Sequence, residues 1–102
     1  MEYWPEVLQA IATKEHVVYL YFDDGTIRFF DAAKILEIGN FKELKHKNLF
    51  VEACTVLNGT LAWTLDFSYN PETCLDLDPD VLYRECPIVE EPHWLFNKNE
   101  DE

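Results

Sequence analysis

The chain has 102 residues, of which 48% are apolar and 15% aromatic, and a formal net charge of −12. That length makes one domain burying roughly 65% of its unfolded surface, and the apolar content is ample for a core, so global disorder is excluded. The longest apolar run, Val17 to Phe22, is far short of the roughly 20 residues of a membrane helix, and the acidic field disfavours generic binding to phosphate backbones.

Met1-Glu-Tyr-Trp-Pro5 offers neither a basic region nor an apolar signal core, so the expectation is a soluble cytoplasmic protein. The eight basic residues are unevenly spread: Lys34, Lys42, Lys45 and Lys47 supply half of them, whereas the chain ends on three consecutive acids. Cys54, Cys74 and Cys86 include no Cys-x-x-Cys pair and, being three, build no complete disulfide framework; they read as reduced, buried apolar side chains.

Val7 to Thr13 reads as a first strand, joined by a polar turn around Lys14-Glu15 to a second beginning at Val17. Asp24-Gly25 then lies between two β-rich runs, the strongest short-range hairpin signal. A two-residue loop there pairs Phe22 with Ile27, Leu20 with Phe29, Tyr21 with Arg28 and Tyr19 with Phe30. This register gives one wholly apolar face and one aromatic, partly polar face. The latter (Tyr19, Tyr21 and Phe30, edged by Arg28) either packs beneath a helix or forms a protein-contact surface. Asp31 is placed to cap a helix that buries Ile35, Leu36 and Ile38 and stops at Gly39. A further turn over Phe41 to Leu44 precedes the basic Lys45-His-Lys47.

Asn58-Gly59 repeats the hairpin signal, pairing Val56 with Leu61 and Cys54 with Trp63, which sets Cys54 on a core face beside a large aromatic. Asn58-Gly-Thr60 also fits a glycosylation sequon, but without a secretory signal the turn reading prevails. Asn70-Pro71 opens an irregular loop.

Between Cys74 and Cys86, Asp76, Asp78 and Asp80 alternate like the first three ligands of a calcium loop. Such a loop also needs glycine at its sixth position and glutamate at its twelfth, where this chain has Val81 and Pro87. No metal site or cofactor is expected. Leu75 to Leu77 instead read as a short strand, Asp78 as an N-cap and Pro79 as the first helical residue, with Asp80 and Arg84 paired one turn apart and Pro87 as the stop.

Tyr19-Leu-Tyr-Phe-Asp-Asp-Gly-Thr-Ile-Arg-Phe-Phe-Asp31, Gly39-Asn-Phe41, Gly59-Thr-Leu-Ala-Trp63 and Asp76-Leu-Asp-Pro-Asp-Val-Leu-Tyr83 occur in that order. Together they resemble the small prokaryotic family called domain of unknown function 2442, over about residues 5 to 87. The resemblance implies a compact α+β domain without an assigned activity. It also implies gene neighbours that look toxin-like; some relatives carry an added helix-turn-helix, for which these 102 residues are expected to be too short, so direct DNA binding is not expected.

The expected fold is therefore a single α+β domain over residues 1–87: a three-stranded antiparallel meander, one helix, a second β-hairpin and a short C-terminal helix. Residues 88–102 are expected to form an acidic tail whose Trp94 and Phe96 serve association, with a homodimer as one outcome and folding back onto the domain as the other. His16, His46 and His93 read as solvated and no catalytic residue is assigned. The functional expectation is a non-catalytic protein-interaction or regulatory module, antitoxin-like toward a small basic toxin-like protein. The alternatives are a small-molecule-sensing domain and a hydrolase or thiol enzyme.

Overall fold

The computed structural model of the chain describes residues 3–92. Strands β1 (Val7–Ala12), β2 (Val17–Phe22) and β3 (Ile27–Asp31) form the antiparallel meander, and β7 (Ile88–Val89) adds a fourth strand beside β3. Strands β4 (Cys54–Leu57), β5 (Thr60–Trp63) and β6 (Leu75–Asp76) make a second antiparallel sheet. Short helices connect them: 3-10 turns over Ala32–Lys34 and Gly39–Lys45, then α1 (Lys47–Glu52) and α2 (Pro79–Glu85). The α+β class is as the sequence indicates, and hairpins form at both expected turns.

The first hairpin differs from expectation by one residue. Phe22 N–H donates to Thr26 O (2.9 Å) and Gly25 N–H donates back to Phe22 O (3.0 Å), so the loop is Asp23-Asp24-Gly25. Gly25 takes φ +89°. This is the three-residue turn whose last position must be left-handed, and glycine suits it as well as it suits the two-residue turn. The pairing is consequently Tyr21 with Ile27, Leu20 with Arg28, Tyr19 with Phe29 and Val18 with Phe30. With a period of two, this slip exchanges the faces of β3. Arg28 and Phe30 turn inward beside Leu20 and Val18, while Tyr19 and Phe29 meet on the outer face (centroids 5.5 Å apart). The expected aromatic surface of Tyr19, Tyr21, Arg28 and Phe30 is thus divided between two sides of the sheet.

In β1 the register shifts between Val7 and Gln9, and Leu8 is left 61% exposed while Val7 is buried. The second hairpin keeps its expected register, Cys54 with Trp63 and Val56 with Leu61, through the left-handed pair Asn58 (φ 53°) and Gly59 (φ 73°). A Cβ on Gly59 would fall 2.7 Å from Glu6 Cγ, and Gly59 O accepts from Val7 N–H (2.8 Å), so this turn also joins the two sheets.

The core gathers between the sheets on Trp63. Its fully buried indole donates to Phe50 O (3.0 Å) and contacts the Phe50 ring (5.3 Å) and the Phe41 ring (6.3 Å). His16 belongs to this cluster and is not a solvated side chain. Half-buried at φ 64°, it lies edge-on to Phe50 (4.8 Å), and its Nε2 donates to Leu44 O (2.8 Å).

The expected helix after Asp31 is also corrected. Asp31 Oδ1 accepts from Ala33 N–H (3.0 Å), but only a 3-10 turn follows. Ile35 is buried, whereas Ile38 has returned to extended backbone (φ −105°, ψ 117°) and is 56% exposed. Asp78 caps α2 through Asp80 N–H (2.9 Å), with Pro79 in the first turn and Asp80 bound to Arg84 (3.2 Å). Pro87 ends α2, yet Pro87 O accepts from Phe29 N–H (2.9 Å), so the chain re-enters the first sheet as β7.

Replacing Trp63 by Ala is expected to cost about 3–5 kcal/mol in urea melts, because the cavity sits where both sheets and α1 meet. Asp78→Ala is expected to cost about 1 kcal/mol through loss of the cap. Both changes falling within about 0.5 kcal/mol of wild type would contradict this packing.

Candidate functional site

Where α2 and the turn after β3 approach each other, an open apolar groove of about 270 Å³ remains. Phe30 and Ile35 form one wall and Leu77, Val81 and Leu82 the other, with Cys86 between them. Lys34, Asp78 and Glu85, all exposed, are its charged lining residues. Local sequence explains each wall. Asp31 fixes the 3-10 turn that buries Ile35 while leaving Lys34 outside. Asp78-Pro79 fixes the start of α2, which places Val81, Leu82, Glu85 and Cys86 along one side at helical spacing.

Arg28 secures the α2 wall. Its Nη1 donates to Tyr83 O (2.8 Å) and Cys86 O (3.4 Å), and its Nε to Thr26 Oγ1 (3.2 Å). The guanidinium lies 3.9 Å from the Tyr83 ring centroid and 5.8 Å from that of Phe22. A cation on the last carbonyls of a helix complements the helix dipole, and stacking on Tyr83 adds cation–π attraction. Tyr83 OH donates to Asp24 Oδ2 (2.6 Å), closing the network onto the hairpin turn. Hydrogen bonds from the Thr26 hydroxyl and from Tyr83, in that order, hold the Asp24 carboxyl near a pKa of about 2. Tyr3 OH donates to Asp23 Oδ1 beside it.

Of the expected contact residues, Phe30 lines one wall of the groove and Arg28 braces the other; neither is a free surface group. Tyr21 lies on the outer face and donates to Glu91 Oε2 (2.7 Å), and burial with that carboxylate pushes its phenol up to about 12. Trp94 and Phe96, and with them the dimer expectation, lie outside the described residues. Asn58 and Gly59 form the second hairpin's turn, Trp63 is buried and Asp78-Pro79 opens α2, whereas Asp24 and Gly25 belong to a three-residue loop and Asp31 caps only a 3-10 turn. The groove itself was not foreseen. Its signal was the i, i+1, i+4, i+5 pattern Val81, Leu82, Glu85, Cys86, which has meaning only once β3 is in its true register.

Burial pushes the Cys54 thiol up to about 12 and raises that of Cys86, against the opposing charges of Lys34 and Arg28, so both favour the protonated form. Among the described residues no three histidine, cysteine or carboxylate side chains are grouped to hold a metal ion. No helix among them is long and apolar enough to cross a membrane.

Fold and site together define a small α+β domain with an apolar surface groove and an acidic exterior. The chain belongs to the family described as protein of unknown function, DUF2442, whose sequence profile matches residues 7–87. No curated protein and no solved structure matches it.

Because the folded pKa of Asp24 is lowered from 3.8, its contribution to stability is complete above that pH and is lost as pH falls toward about 2. Thermal melts should show Asp24→Asn less stable than wild type at pH 7, with the gap narrowing at pH 2. A gap that does not change with pH would contradict the network.

Proposed function

We propose that this protein is a non-catalytic protein-interaction module whose groove receives a bulky apolar side chain of a basic protein partner. The observation that carries the reading is the groove: an apolar floor, open to solvent, on a chain of net charge −12. Its volume of about 270 Å³ falls just below the roughly 300–1,000 Å³ of small-molecule sites, which favours a protein side chain over a sensed metabolite or a cofactor. Flat apolar contact alone would select no partner. The acidic exterior supplies selection, because complementary charge speeds encounter and rejects acidic competitors.

A protein that acts on nucleic acid carries the positive surface that such a field attracts. Covering that surface would make the present chain antitoxin-like, in keeping with a cytoplasmic setting and with the toxin-like gene neighbours that the family resemblance implies. In this reading the chain has no direct contact with nucleic acid.

Affinity capture from the native host, followed by purification of the captured protein and calorimetric titration, tests the proposal. The expected partner is basic, and its association slows as salt rises. Val81→Glu, which sets an unpaired charge in the apolar wall, should weaken the complex about tenfold or more. Equal binding by wild type and Val81→Glu would remove the groove from the account. Submicromolar binding of a random duplex at physiological salt would overturn the partner class.

A further inference from the structure

The connection between β5 and β6 holds a second surface. Phe67 and Tyr69 both have φ near 58°, a left-handed conformation that bulky side chains rarely adopt. Neither ring is turned into the core: Phe67 is 48% exposed and Tyr69 51%. Local hydrogen bonds hold the backbone in this shape. Buried Thr64 accepts from Tyr69 N–H through Oγ1 (3.0 Å), Asp66 Oδ1 accepts from Ser68 N–H (3.0 Å), and Asn70 Oδ1 accepts from Glu72 N–H (3.0 Å). Two large rings are thus displayed on a fixed loop.

The surrounding charge says what would stack on them. From Asn48 to Tyr83 the chain contains no lysine, arginine or histidine, while Asp66 and Glu72 flank the two rings in sequence and both are exposed. Exposed aromatics can stack nucleic-acid bases, but such sites carry cations for the backbone, and this segment has none. Aromatic faces beside carboxylates suit a planar cation.

We infer that the loop over residues 66–73 is a docking site for an arginine-bearing segment of a protein partner, with the guanidinium stacked on Phe67 or Tyr69 and its charge met by Asp66 or Glu72. The site shares no residue with the groove, whose lining comes from residues 30–35 and 77–86. It therefore goes beyond the groove reading and can fail or stand without it.

The test uses the full chain, labelled for NMR, titrated with a capped hexa-arginine peptide and, separately, with hexa-lysine and with spermine. The arginine peptide should shift the amides of residues 66–73 first and saturably. A Phe67→Gly/Tyr69→Gly chain relieves the left-handed strain, so its urea midpoint should not fall, yet its affinity for the arginine peptide should drop about fivefold or more. If that chain does not fold, Phe67→Asn/Tyr69→Asn, which tolerates the same backbone, takes its place with the same expected loss. Shifts spread evenly over the acidic surface would overturn the inference. So would equal binding of hexa-lysine or spermine at these amides, or undiminished affinity in the ring-deleted chain.

Discussion

The arrangement depends on one side chain, Arg28, sitting on the inner face of the first sheet. Helix α2 has seven residues, too few to be stable alone, and it buries only Leu82 fully. Its position is fixed from outside by the guanidinium, which takes the Tyr83 and Cys86 carbonyls and lies over the Tyr83 ring. An ammonium could supply the charge, but not this planar stack with simultaneous donation in three directions. Because α2 is held at this point, Leu77, Val81 and Leu82 stand off from Phe30 and Ile35, and the groove stays open. Asp24 extends the same restraint to the turn through the Tyr83 hydroxyl.

How much of this is legible in the sequence follows from how local each determinant is. Asn58-Gly59 with its flanking alternation, Asp31 as a cap, and Asp78-Pro79 opening a helix are each decided within four or five residues, and each holds. The register of the first hairpin is not decided that way. Asp24-Gly25 fits both a two- and a three-residue turn, and the choice falls to Thr26, whose N–H and hydroxyl both donate to Asp24 Oδ1 (2.9 and 2.6 Å). Helix α1 is hidden for a different reason. Lys47–Glu52 has no side-chain cap and only six residues, too few for a helix stable alone, and it is held by Phe50 seated against Trp63. The groove inherits the first difficulty, since Phe30 in its wall faces inward only in the three-residue register.

The three aspartates between Cys74 and Cys86 show how a pattern that resembles ligation is used for architecture. Asp78 satisfies an amide of the first helical turn, Asp80 holds Arg84, and Asp76 is an exposed strand residue opposite Ala62. The cysteines tell a similar story, since burial keeps Cys54 and Cys86 from the thiolate form. The proposed function draws on surface instead: an apolar groove on one element pair, displayed aromatics on a loop, and the acidic charge of the chain. Family membership is consistent with this division, because the matched stretch, residues 7–87, contains the Arg28 network, the groove and the loop.

The central claim, that Arg28 holds α2 against the sheet and so maintains the groove, is tested most directly by the reactivity of Cys86. That thiol lines the groove, whereas Cys54 lies in the second sheet. Native-state alkylation followed by mass spectrometry should show Cys86 labelled faster in Arg28→Met than in wild type while Cys54 labelling is unchanged. Cys86 labelling that stays at the wild-type rate, or rises only in step with Cys54, would contradict the claim.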